Sequence, residues 1–330
     1  MSDKIELINE HIKLVLDNLY LHYKKLNSFF PYILVEGTTD TAFMDRCKKD
    51  DVTCISVSNI INGYNRLKKQ PGISQASCKR VICNTVYGLS VIPAKVKCRP
   101  EAVNWKLYGA VDQDFDDYED ISITTRLFQT DSHDLETMLL STDEEAVMRI
   151  KEIDITAEQM AKAECLAYEM SKLRQQIPKY SRIPTRLFKG ESGIVEFSEI
   201  TDGPDIDVKK ALAYLNRRNG GRSSSSEIKK LLESIIKENG KNIDKNGIFK
   251  YGNSHFDPLF FPDFWYDVNG HDLLSALIYV NVNAYYKYYD SKAGELNREF
   301  EKDLIAAYEI KRFAKTRMFK RMLDFDLVEV

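Results

Sequence analysis

The sequence predicts an α/β fold: a mostly parallel sheet flanked by helices, followed by a mainly helical C-terminal region. Three observations point there. Short apolar runs alternate with amphipathic stretches over the first 140 or so residues. Several of those runs end in acids or turn residues, as strands entering βα turns do. Beyond residue 141 helical periodicity dominates.

The elements follow in order. Ile5, Ile8, Ile12, Val15, Leu16 and Leu19 recur near a 3.6-residue period, which predicts a helix over 3–25. After Pro31, YILVEG reads as a strand, and the turn GTTD leads into a helix starting at Thr38 or Thr39. VTCISVS (52–58) is a second strand, and QPG (70–72) a loop within the helix-rich stretch that follows. WKLYGAVDQD (105–114) is a third strand, apolar until it ends in acids. RLFQT (126–130) is a fourth, closed by DSHD and a helix beginning DLETMLL. In the second half, helical patterning covers 143–175, 207–218, 226–238, 271–289 and 296–322. NGGRSSSSE (219–227) reads as a flexible surface loop or partner-contact segment. A boundary near residue 141 divides a catalytic α/β region (1–141) from a helical region (142–330).

Composition narrows the class. The hydrophobic fraction of 43% and charged fraction of 29% are those of a globular protein, and no apolar run reaches the length of a membrane span. The N-terminus lacks the apolar core of a signal peptide, so a cytoplasmic protein is expected. Six cysteines at irregular spacings, with no CxxC, argue for reduced buried thiols rather than a disulfide framework or a zinc site. Net charge is −3, yet its distribution is uneven. Residues 111–120 carry six carboxylates, whereas 172–189 and 311–321 carry six cations each. A charge run is usually a solvated face. The stretch 311–321 is nonetheless the best candidate for phosphate contacts, through Lys311, Arg312 and Lys315; its bland alternative is a cationic helix end.

The acids carry the functional argument. Glu36 ends the first strand, with Gly37 permitting a tight turn and Asp40 one helical turn on. Asp112 and Asp114 end the third strand, where a period of two sets both on one face. Glu136 sits on the first turn of the helix after the fourth strand. In an open α/β sheet, ligands bind beyond the carboxyl ends of the strands. Five carboxylates gathered there would repel one another unless a cation compensated them, and hard oxygen ligands suit Mg2+ or Mn2+. Phosphoryl transfer uses such ions to orient a nucleophile and neutralise phosphate charge. Each acid also has a plainer explanation. Asp40 and Glu136 would be favoured by helix dipoles anyway, and a DxD often marks a strand-end turn.

LVEGTTD followed by GAVDQDFD resembles the Toprim domain, shared by topoisomerases, bacterial primases, small RNA-maturation nucleases and the overcoming-lysogenisation-defect nucleases. The resemblance implies Glu36 as the invariant acid and Asp112 and Asp114 as metal ligands. Asp40 and Glu136 sit where the nuclease branch places a second metal pair. QTDSHDLETMLL and WYDVNGHDLLSAL most resemble the stand-alone Toprim effector of the PARIS anti-phage defence system. That likeness implies a toxic nuclease directed at tRNA, an ABC-type ATPase partner and a homodimer in the active state; a DNA nuclease is the alternative, and a non-catalytic Toprim binding module the non-enzyme one. The chain leaves little room for a topoisomerase's further domains. It also lacks the cysteine zinc motifs typical of primases and has no GxxxxGK[ST] of its own.

His271, in NGHDLL, either assists proton transfer, as the resemblance suggests, or opens a helix with Asp272. His133 reads as a supporting or capping residue before Glu136. The aromatic run at 258–268, including Phe264, Trp265 and Tyr266, fits core packing better than base stacking.

Overall fold

The structure, a computed structural model, describes residues 2–26, 30–72, 75–91, 106–113, 126–151, 153–180, 195–218, 221, 223–250, 263–290, 295–296 and 299–329. The described chain divides into two compact units, residues 1–131 with 309–330, and residues 132–308.

In the first unit α1 (Ser2–Leu26) precedes β1 (Tyr32–Val35), α2 (Thr38–Met44), β2 (Thr53–Ser56), α3 (Val57–Leu67), α4 (Gln75–Val91), β3 (Leu107–Val111) and β4 (Leu127–Gln129). The strands form one parallel sheet in the order β2-β1-β3-β4, with Tyr32 opposite both Thr53 and Leu107. β1 (YILV) and β3 (LYGAV) are apolar throughout because a parallel sheet is covered on both faces. On one face Tyr32, Leu34, Leu107, Val111 and Leu127 pack with Val15, Leu16 and Leu19 of α1, Val57 and Ile61 of α3, and Val81, Ile82 and Val86 of α4.

The other face draws on the end of the chain. Phe325 meets Tyr108 and Phe128, with ring centroids 5.3 and 6.0 Å apart, and Phe313 packs edge-on against Phe43 at 4.9 Å. Backbone bonds from Lys49 N–H to the Leu327 carbonyl and from Glu329 N–H to the Cys47 carbonyl tie the tail down. The last residues therefore belong to the α/β unit, and the boundary expected at 141 falls instead after Asp131 and again before Glu309.

The second unit opens with α5 (Leu135–Thr142), a 3-10 turn (Glu144–Arg149) and α6 (Ala157–Tyr180). Then come α7 (Phe197–Ile200), the small hairpin β5 (Thr201–Asp202) and β6 (Asp205–Ile206), α8 (Val208–Arg218) and α9 (Ser225–Glu238). It ends with α10 (Phe264–Asp267), α11 (Gly270–Val280), α12 (Val282–Tyr288), the hairpin β7 (Tyr289–Asp290) and β8 (Glu295–Leu296), and α13 (Glu299–Ala307). Its core is the packing of α11 on α6.

Three expected helices are broken. The 143–175 stretch starts as the 3-10 turn, and α6 begins only at Ala157. The 271–289 helix is interrupted at Asn281, whose side chain accepts the Ala284 N–H (2.9 Å) and so starts α12 afresh. The 296–322 helix becomes α13, a 3-10 turn (Ile310–Lys315) and α14 (Arg317–Leu323). Thr316 caps α14, and Asp131 accepts the Arg317 and Met318 N–H groups at 2.6 and 2.8 Å. The 219–227 segment is part helix: Ser224 caps α9 in a box with Glu227, while residues 219, 220 and 222 lie outside the described residues. No helix among the described residues is long and apolar enough to cross a membrane. Cys47, Cys54, Cys78, Cys83 and Cys165 are free thiols, as expected; Cys98 lies outside the described residues.

Gly109, in the middle of β3, brings α4 close to the sheet: a Cβ there would meet Ile82 Cγ2 at 2.6 Å, Leu127 Cδ1 at 2.8 Å and Val86 Cγ2 at 3.2 Å. Gly109→Ala should therefore overpack this layer and lower the unfolding free energy by about 1–3 kcal/mol, read from the midpoint shift in urea denaturation.

Candidate functional site

The order 2-1-3-4 places a topological switch between β1 and β3, because the chain leaves β1 toward one side of the sheet and later returns to build on the other. Glu36 and Asp112 follow directly on those two strands, both buried, at 3% and 6% exposure. Glu36 Oε1 accepts the Asp112 N–H at 3.1 Å, and its own carbonyl accepts the Ser58 N–H. The two acids thus flank the crevice in which open α/β sheets bind ligands.

Asp40 is engaged locally: its carboxylate accepts the Gly37 N–H at 2.7 Å and so closes the first turn of α2. Asp114 lies outside the described residues. A residue that the sequence reading missed is Lys79 of α4, 1% exposed, whose ammonium donates to the Gln113 carbonyl at 3.1 Å, one residue past Asp112. Both Lys79 and Glu36 lie within electrostatic reach of the Cys83 thiol, which burial pushes up to about 12. Lys79, Ile82, Cys83 and Val86 share one helix face, so a lysine on an apolar stripe was the available signal.

Glu136 and His271 belong to the second unit, where Asp134 brings them together. Asp134 caps α5, accepting the Thr137 N–H at 2.9 Å, and also accepts the Gly270 N–H at the start of α11 at 2.6 Å. One carboxylate therefore answers the N-terminal dipoles of two helices. Gly270 is required for this approach: a Cβ would lie 2.4 Å from Asp134 Oδ1 and 2.6 Å from Glu136 Cβ. His271 comes next in the chain. Its neighbour Asp272 receives a two-pronged bond from Arg174 of α6 (2.7 and 2.8 Å), and Asn269 caps the helix. The pairing of His271 with Asp272 at a helix start is thus real as position, but Asp272 is satisfied across the unit rather than locally.

His271 Nδ1 lies 3.6 Å from Glu301 of α13, and Glu136, His271 and Glu301 offer ligand atoms all within 4.8 Å of one another. Burial pushes the Glu136 carboxyl up to about 8, against the pull of His271 and with Asp134 and Glu301 adding to it. Burial draws the His271 imidazole down, but Glu136, Glu301, Asp134 and Asp272 outweigh it and raise it to about 9. The surrounding acids thus favour the imidazolium over the neutral ring. As a donor set, one imidazole and two carboxylates fit Mn2+ or Zn2+ better than Mg2+, whereas the all-oxygen set of Glu36 and Asp112 fits Mg2+ or Mn2+. Glu301 was missed in the sequence, although with Leu304, Ile305 and Tyr308 it too occupies an apolar stripe.

His133 is buried and gives its backbone N–H to the Trp265 carbonyl; the capping role belongs to Asp134. Phe264 is core, edge-on to Trp265 and stacked on Tyr168. In the basic segment of the first unit, Lys311 and Arg312 share Glu309 (3.4 and 3.3 Å), and Lys315 is exposed.

A second buried group in the same unit, Cys165, Glu169 and Asp205, also has its ligand atoms within 4.8 Å of one another. Glu169 accepts the Ile206 N–H at 2.8 Å, and burial together with Asp205 holds its carboxyl well above the usual range. Burial and Asp205 thus both favour the protonated form of Glu169.

No protein-family model matches the chain, and neither a curated protein nor a solved structure matches it.

The Glu169 value is higher in the folded than in the unfolded protein. Its contribution is therefore complete below about pH 4.5 and declines as pH rises toward the elevated folded value. Glu169→Gln mimics the protonated form, accepting from Ile206 and donating to Asp205. It should flatten the fall in thermal stability between pH 6 and 9, and the variant should melt above the parent at pH 8.

Proposed function

We propose that the chain is a divalent-metal-dependent nuclease, the toxic effector of an anti-phage defence pair. The observation that carries this reading is the buried pair Glu36 and Asp112 on adjacent parallel strands at the switch point of the sheet. Such a pair is costly to ionise away from water unless a cation is shared. A divalent cation bound there would supply Lewis acidity and a template for phosphate and water.

The chain's own residues do the positioning. The Asp112 N–H fixes one oxygen of Glu36, and Lys79 holds the Gln113 carbonyl so that the β3 end keeps its course. His271, protonated at neutral pH, is the proposed proton donor of the second unit's cluster. Lys315, with Lys311 and Arg312 beside it, is the proposed phosphate contact. The likeness to the PARIS effector supports tRNA as substrate and an ABC-type ATPase as the restraining partner, with a homodimer as the active form.

The test is to express the parent chain and Glu36→Gln in cells and to examine both RNA and DNA. Broken tRNA in the parent, reduced at least about a hundredfold by Glu36→Gln, is the expected result, with cleavage by the purified protein abolished in EDTA. Broken DNA with intact tRNA would shift the assignment to the overcoming-lysogenisation-defect type. Intact nucleic acids, or cleavage that survives Glu36→Gln, would overturn the proposal.

A further inference from the structure

The second unit also holds a cavity of about 240 Å3 with no part in the arrangement above, since neither Glu136, His271 nor Glu301 lines it. Its walls come from the start of α7, one side of α11, and α12 with the first residue of β7. Four aromatic rings dominate them. Tyr285 and Tyr289 stack with centroids 4.8 Å apart and planes at 20°, and Phe197 stacks with Tyr279 at 6.2 Å and 30°. Both inner hydroxyls are committed: Tyr279 to Thr201 (3.1 Å) and Tyr289 to the Glu196 carboxylate. The rings are thereby fixed, and ring surface rather than hydroxyl is what the cavity offers.

Charge gives this cavity a direction. Among the described residues that line it, Glu196 is the only carboxylate, and none is Lys, Arg or His. Glu196 is itself held in place, its N–H bonded to Tyr214 (3.2 Å) and one oxygen accepting from Ser198 (3.2 Å). Arg217 pairs with Glu199 and lies within electrostatic reach of Glu196, and Lys162 lies 5.8 Å from the Tyr279 ring centroid. That last contact shows a Tyr279 face already taking an ammonium. Aromatic faces carry negative potential, and with a carboxylate beside them they favour a cation over a neutral guest and exclude an anion. The volume is below the range of about 300–1,000 Å3 usual for drug-sized ligands, so the guest is a small one.

We infer that this cavity is a binding site for a small arylalkylammonium ion, its ring among Phe197, Tyr279, Tyr285 and Tyr289 and its ammonium toward Glu196. The site is independent of the nuclease reading and stands or falls without it.

Three probes of one shape separate the contributions: phenethylammonium, 2-phenylethanol and 3-phenylpropanoate, titrated into the full chain by calorimetry or ligand-observed NMR. The ammonium should bind saturably and about tenfold more tightly than the alcohol, while the carboxylate should show no binding. Glu196→Gln should bring ammonium and alcohol to within about threefold of each other by weakening the ammonium alone. Tyr285, partly exposed, allows a second variant that spares the core: Tyr285→Leu should weaken the ammonium more than the alcohol. Equal affinity for ammonium and alcohol, no saturable binding of either, or an ammonium preference that survives both substitutions would overturn the inference.

Discussion

A carboxylate buried at the end of a buried strand has to be compensated, and the first unit is arranged around that requirement at Glu36. The strand cannot simply end in water there, because β1 is an inner strand flanked by β2 and β3 and its apolar side chains are enclosed. Asp112 brings a second buried acid to the neighbouring strand end. The backbone N–H of Asp112 and the ammonium of Lys79, anchored on the next carbonyl, supply part of the compensation. Under the proposed function a divalent cation would supply the rest. Gly109 serves the same end by letting α4, which carries Lys79, lie close to β3.

The second unit meets a similar problem with a proton. Asp134 gathers two helix N-termini, and this fixes Glu136 beside His271, with Glu301 brought in from α13. The surrounding acids favour the imidazolium form of His271. Arg174, clamped on Asp272, keeps the start of α11 from shifting. Cys165, Glu169 and Asp205 use a third solution, a carboxyl kept protonated and hydrogen-bonded. Among the described residues, buried acids are thus met in three different ways, and the proposed divalent ion belongs to the first.

Much of this was legible in the sequence, for identifiable reasons. The four strands, α1, α2 and the start of α5 follow from periodicity and from turn chemistry at Gly37 and in DSHD, which are local properties, although the cap falls on Asp134 rather than on His133. Glu36 and Asp112 could be placed at strand ends because an acid closing an apolar run is itself a local pattern. Their adjacency was not legible, since it rests on β1 pairing with β3 across seventy residues of chain. The helix breaks at Asn281 and Thr316 were hidden because periodicity continues across a cap. The return of Phe313 and Phe325 to the first unit is a long-range packing choice that composition does not mark. Lys79 and Glu301 are each a charge on an apolar helical stripe that the sequence reading passed over; Lys79 bonds the carbonyl next to Asp112, and Glu301 joins Glu136 and His271.

The ends of β1 and β3 are proposed to form a divalent-cation site. Electron paramagnetic resonance of Mn2+ titrated into the parent protein and into Glu36→Gln and Asp112→Asn tests it most directly, because free and bound Mn2+ differ in signal whether or not a substrate is known. A saturable Mn2+ site in the parent, displaced by excess Mg2+ and lost in either variant while both remain folded, is the predicted result. Mn2+ binding that is absent from the parent, or unchanged by both substitutions, would contradict it.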